Sequence, residues 1–461
     1  MRRLINSQLQ KKDSLLRIIL YFLSTNGVNY LVLFLASVLI FRNVDKSFYG
    51  VYVVLLSLFA FPELLMAGFN ETITRFIKDK IPLVDKQSIV LYVLYYKFIL
   101  LSAFTVIIYM AWGFSLFELL INNYENVSDG IERFIWIAIL NSYLGIFLGV
   151  NSNILVSQYD YRFSGYMGLI RNIVYLMIVF GLTFYTNKYI YYLYCNFMIS
   201  LFLLVALSYR INRVYPDYSF TSLIQLKPTS GIYQRYIIPY GSPLTVSSIL
   251  TYVKNHLPII ILGKEFALED VAVFSILKTF YKALHSISGS FIAPMMSKFL
   301  KLKNNIEDFS KKMNAIFYGA LFIRLSSFFI LSFLLKYLFL VYKIENNEIN
   351  QFIFYVLGLE YVIAGIIASY GIVLRLDKTT NKVLITSVVR FIVELTLIYL
   401  ILLDYGIMAA ALILLLARYV ETVVSYFFIR QQKIFYMTGL LLFSFVFPIA
   451  YFLFKLSIPF D

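Results

Sequence analysis

The 461-residue chain has one cysteine, two histidines and two tryptophans, and only 14% of its residues are charged. Each scarcity excludes something. A lone Cys195 forms no internal disulfide, and two histidines without cysteine neighbours offer no metal-ligand spacing. There is no GxxxxGKS/T phosphate loop and no HExxH, so nucleotide-driven and zinc-dependent chemistry lack sequence support and no cofactor is expected. Soluble domains are nearer a quarter charged. What fills the gap is apolar: 61% of residues are hydrophobic and the mean hydropathy is +0.79.

Apolar stretches long enough to cross a bilayer recur along the whole chain, which predicts an all-α polytopic membrane protein. Thirteen spans are expected, near 17–41, 48–69, 88–111, 133–156, 167–186, 188–209, 236–262, 271–296, 313–342, 351–374, 382–403, 406–429 and 434–456. The first is long and has no small-residue cleavage site, so it is read as a retained span rather than a signal peptide. The formal charge of +15 then belongs to loops and not to a nucleic-acid surface. The N-terminus, 70–87, 210–235, 297–312 and 375–382 are rich in Lys and Arg, whereas the alternate loops 112–132 and 263–270 are acidic. By the positive-inside rule the N-terminus is cytoplasmic.

A faint repeat divides the chain. DKSFYGVYVVLLSL (45–58) matches EDVAVFSILKTF (269–280), and RNIVYL (171–176) matches RFIVEL (390–395), both offset by about 220 residues. Two six-helix lobes (1–209 and 236–430) around a central cavity follow, joined by a cytoplasmic linker (210–235) that is partly amphipathic, with an additional helix over 431–461.

A charge at bilayer depth costs ~2.5 kcal/mol or more, so intramembrane charges mark function or pairing. Lys278, Lys282 and His285 stand at i, i+4 and i+7 of the eighth span and share one face. Lys254, inside TYVKNHLPII, reaches a similar depth on the seventh span, and Arg324 lies near the midplane of the ninth. Together they predict a cationic cavity wall for an anionic cargo; pairing with carboxylates of other spans is the alternative. Arg390 with Glu394 (i, i+4) and Arg418 with Glu421 (i, i+3) read instead as a packed ion network. Glu63 either pairs with Lys97 or is, like Glu360, an ion-coupling site. Asn26 and Asn29 read either as hydrogen-bonding residues between helices or as cavity lining.

SVLIFRNVDKSFYGVYVVLLSLFAFPELLMAGFNETITRFI (37–77) resembles the Wzx-type polysaccharide flippases of the multidrug/oligosaccharidyl-lipid/polysaccharide exporter (MOP) superfamily. The resemblance rests on Phe48, Tyr49, Gly50, Tyr52, Ser57, Leu58, Gly68, Arg75, Phe76 and Ile77, and continues in HLPIIILGKEFALEDVAVFSILKTF (256–280) and SQYDYRFSGYMGLIRN (157–172). It implies a MATE-like fold that alternates access and carries undecaprenyl-diphosphate-linked oligosaccharide repeat units across the bacterial inner membrane for O-antigen or capsule. It further implies a polysaccharide polymerase and chain-length regulator as partners, and H+ or Na+ as coupling cation. Asn255 stands where the family often has an Asp, and thirteen spans depart from the usual twelve or fourteen. The alternatives are a MATE-type drug/cation antiporter, expected to show an acidic cavity, a lipid II-type flippase, and a membrane glycosyltransferase, expected to show a large outer loop.

Overall fold

Periodic apolar segments do become helices. The computed structural model describes residues 28–65, 67–77, 81–113, 121, 131–158, 160–186, 188–226, 231–289, 306–376 and 380–429, and some helical side chains within these, Glu63, Lys254 and Asn255 among them, lie outside the description. Among the described residues every regular element is helical. The N-terminal set is α1 (Val28–Asn43), α2 (Lys46–Leu65), α3 (Ala67–Phe76), α4 (Leu83–Gly113), α5 (Ile131–Ser157), α6 (Tyr161–Leu182) and α7 (Tyr189–Val214). After the short α8 (Phe220–Ile224) come α9 (Ile238–Glu265), α10 (Leu268–Gly289), α11 (Ile306–Phe333), α12 (Leu335–Tyr342), α13 (Glu348–Leu376), α14 (Thr380–Leu397) and α15 (Leu403–Ile429). The expected thirteenth span and the start of the first lie outside the described residues.

Length and composition alone qualify six described stretches to cross a membrane, or seven with the bent pair Phe317–Phe333 and Leu335–Tyr342, which break by 71°. The shortfall against thirteen has physical causes. Leu384–Ile429 counts once but contains two expected spans, since a π-helical turn at Ile398–Leu402 and Gly406 at φ 55° bend the chain there. The helices α9 and α10 are diluted by the polar residues that make the site. Large apolar side chains such as Ile107, Met177, Phe202 and Phe322 are 61%, 68%, 61% and 71% exposed. Water would penalise such a surface, and lipid does not.

Within each set neighbours pack closely: α1 on α6, α5 on α7 and α3 on α5 in the first, and α13 on α15, α14 on α15 and α11 on α13 in the second. The sets meet along one seam, where α2 lies against α9 and α10, α3 against α9 and α1 against α10. Two glycines let the helices approach. A Cβ at Gly50 would collide with the Leu268 carbonyl, and one at Gly263 would collide with Val54. Ser47 donates to Glu269 at that end, while Phe76 meets Tyr236 edge-on, ring centroids 5.0 Å apart, at the other.

The segment between the sets is tied down. Tyr218, Leu223 and Ile232 are buried with Ile89, Ile154 and Leu207 in one apolar cluster, and Ser219 caps α8 by accepting from the Ser222 amide at 3.2 Å. Arg210 donates to Asp160 at 2.8 Å and covers the Phe163 ring. Both tryptophans gather at the far end of α4 and α5, where Trp112 and Trp136 flank Tyr109 at 5.8 and 6.4 Å between centroids.

Candidate functional site

A cavity of about 710 Å³ lies between the two sets of helices. Its two walls differ in kind. On the C-terminal side Lys278, Lys282 and His285 all line it, as their i, i+4, i+7 spacing on α10 requires. Lys282 is exposed to it. The Lys278 Nζ stands 6.0 Å from the centroid of the Phe274 ring. The His256 ring, one helix over on α9, stacks on Tyr252 at 4.9 Å, and its buried Nδ1 meets no hydrogen-bond partner among the described residues. The side chain of Lys254 lies outside the described residues.

Deeper in the same wall the expected ion network is present and larger than expected. Arg390 donates from Nε to Glu394 at 2.9 Å and from Nη1 to Glu421 at 2.6 Å. Arg418 donates from Nη1 to Glu421 at 2.9 Å and from Nε to Glu360 at 2.6 Å. Glu360, expected as an ion-coupling carboxylate, is therefore held by a guanidinium on α15 instead of standing free. Arg390, Arg418 and Glu360 still reach the cavity surface. Counting both lysines, four cations meet three carboxylates among the described residues, an excess of positive charge.

Arg324 departs from expectation. It is fully buried, 0% exposed, and does not line the cavity. Its Nη1 donates to the Tyr361 carbonyl at 2.6 Å, its Nη2 to His285 Nδ1 at 3.0 Å, and the guanidinium covers the Tyr361 ring at 4.9 Å. No carboxylate among the described residues forms an ion pair with it, and the cation is solvated by a carbonyl, an imidazole and a π-face. Gly365 makes the room, since a Cβ there would stand 2.6 Å from the Arg324 Cδ. Arginine only donates, so His285 accepts on Nδ1 and carries its proton on Nε2. Arg324 thus orients a wall residue from behind.

The N-terminal wall carries no charge among its described lining residues. Tyr49 and Tyr52 from α2, Tyr175 from α6, Tyr189 from α7, and Asn141 and Asn196 present hydroxyls, rings and amides. Tyr52 and Tyr189 lie with ring centroids 3.7 Å apart, and Phe134 meets Tyr52 edge-on at 5.8 Å. The repeat explains a residue that hydropathy reading missed. Arg171 on α6 occupies the place that Arg390 holds on α14, but its partners are neutral: Nη2 donates to Asn196 at 2.6 Å and Ser200 at 3.0 Å, and Nη1 to Asn172 at 3.0 Å. Asn172 in turn donates to Asn29 at 3.3 Å, joining α6 to α1 as the helix-bonding reading of Asn29 anticipates. Lys97 is buried and donates to Asn70, while the side chain of its expected partner Glu63 lies outside the described residues. Among the described residues no cluster of His, Cys, Asp and Glu could hold a metal.

No protein-family profile and no curated protein matches the chain by sequence. Solved structures do match. The lipid II flippase MurJ in an inward closed conformation superposes with a TM-score of 0.72 at 14% identity, over 95% of this chain and 93% of that one. An inward-facing multidrug resistance MATE family transporter of the MOP superfamily gives 0.69 at 13% identity, over 90% and 99%. A MATE in the bent conformation gives 0.62 at 15%, over 95% and 96%. The chain shares the fold of these multi-pass membrane proteins.

Proposed function

We propose that the chain is a transporter that flips undecaprenyl-diphosphate-linked oligosaccharide repeat units from the inner to the outer leaflet of a bacterial inner membrane by alternating access. The observation that carries this reading is the cavity between the two sets of helices, with Lys278 and Lys282 on one wall. A diphosphate needs cations where water is scarce, and its lipid tail can stay in the bilayer while its head enters the cavity. The fold shared with a lipid II flippase and with MATE transporters supports a carrier over a glycosyltransferase. In this reading 1–209 and 236–430 are the lobes, 210–235 is a cytoplasmic linker, 431–461 adds a helix, and the N-terminus is cytoplasmic. A proton or sodium ion drives the cycle, and a polymerase and chain-length regulator act on the product.

A drug/cation antiporter is the second reading, since MATE structures share the fold. The excess of positive charge on the C-terminal wall opposes a cationic cargo.

Export from a strain lacking the native gene and any redundant flippase tests the proposal. Loss should leave lipid-linked repeat units on the cytoplasmic leaflet and remove surface polymer. Lys278→Ala and Lys282→Ala should lower export with membrane protein level maintained, and Lys→Arg should retain more than Lys→Ala. Wild-type export by both alanine variants would overturn the cationic-wall reading. Normal surface polymer without the gene would favour the antiporter.

A further inference from the structure

The two walls differ in what they can bind, and hydrogen-bond valence fixes how the amides on the neutral wall are turned. Asn141 Nδ2 donates to the Ile137 carbonyl at 3.0 Å. A carbonyl only accepts, so the Asn141 Oδ1 is the atom left over, and among the described residues it has no partner. Asn196 is turned the other way. Its Oδ1 accepts from Arg171 Nη2 at 2.6 Å, which leaves Nδ2 as a donor without a partner among the described residues. The contact with a full positive charge polarises that amide and strengthens its remaining N–H groups as donors. Both side chains line the same cavity as Tyr52 and Tyr189, with Asn196 two helical turns along α7 from Tyr189.

We infer that this N-terminal wall is a subsite for an uncharged sugar residue, with Asn141 accepting from one hydroxyl, Asn196 donating to another and the Tyr52–Tyr189 pair packing on the C–H face of the ring. Sugars are the ligand class that offers paired donors and acceptors around an apolar face. An anionic group gains no counter-ion from the described residues lining this wall, while the opposite wall supplies Lys278 and Lys282. The cavity of about 710 Å³ falls in the range of sites that enclose one small organic ligand, so the subsite recognises the sugar next to the phosphates and leaves the remainder of a longer chain outside it. Discrimination between cargoes then resides on the N-terminal helices and charge recognition on the C-terminal ones. This inference rests on the flippase reading above.

The test uses the full-length protein in proteoliposomes with two synthetic probes, a prenyl diphosphate bearing a neutral disaccharide and the same lipid diphosphate without sugar. Wild-type protein should bind the glycosylated probe more tightly. Asn141→Leu, which removes an acceptor, and Tyr189→Leu, which removes a ring, should each reduce the ratio of the two affinities by about 3- to 10-fold. Lys278→Gln should weaken both probes and preserve the ratio. If Asn141→Leu and Tyr189→Leu leave the ratio at the wild-type value, or if Lys278→Gln changes it as they do, the subsite assignment is wrong. If wild-type protein binds neither probe, the flippase reading itself falls and takes the subsite with it; binding of both with equal affinity overturns the subsite alone.

Discussion

Arg171 and Arg390 occupy matching places in the repeat, yet one is solvated by amides and a hydroxyl and the other by two carboxylates. The consequence for stability is unequal. Arg390→Gln takes the guanidinium away from the buried Glu394 and leaves Glu421 with Arg418 alone, and breaking a buried ion pair from one side costs about 3–5 kcal/mol. Arg171→Gln removes donors from neutral acceptors, worth about 1–2 kcal/mol. Thermal unfolding of both variants in detergent should rank Arg390→Gln well below Arg171→Gln. Equal losses would mean that the carboxylates are not what holds α14 to α15. The same contrast explains what the sequence could reveal of the site. Lys278, Lys282 and His285 were legible because helical spacing alone puts them on one face. Arg324 was not, since its direction is decided by Tyr361 and His285, contacts from other helices. The tyrosines of the neutral wall were hidden among 39, and only packing selects four of them.

At the scale of elements most of the described long helices fall where spans were expected, because lipid enforces long apolar helices on every backbone that crosses it. Lys46–Leu65 falls where a span was expected over 48–69, Ala67–Phe76 is helical largely within the basic loop expected over 70–87, and Leu335–Tyr342 breaks away from a span expected to run unbroken over 313–342. What hydropathy could not show is how tightly α2 approaches α9 and α10, because that depends on side chains missing at Gly50 and Gly263. Substituting leucine at Gly263 would push Val54 and separate the seam, a clash of the kind that costs about 1–3 kcal/mol in a packed core. Ser47 and Glu269 touch across the same seam. With cysteines at both positions and Cys195 replaced by serine, a short bismaleimide should link α2 to α10 efficiently. Adding Gly263→Leu should lower the yield several-fold. An unchanged yield would show that the glycine is not what permits the approach.

For the molecule as a whole, the charge of its loops predicts its orientation. Lys301 belongs to a basic loop and Glu125 to an acidic one, so the first should face the cytoplasm and the second the outside. Single cysteines at each position, again without Cys195, can be probed in intact cells with an impermeant thiol reagent. Labelling at 125 and none at 301 is the expected result, and the reverse would invert the topology. The chain also has an optical property that follows from the pairing of its indoles. Trp112 and Trp136 both flank Tyr109 at one end of α4 and α5, so light emitted beyond the tyrosine band comes from a single neighbourhood of the protein. Unlabelled protein is therefore already a local fluorescent reporter for that end of the helix pair. Replacing both indoles would leave a dark background in which one new tryptophan, set into either wall of the cavity, would report on that wall alone.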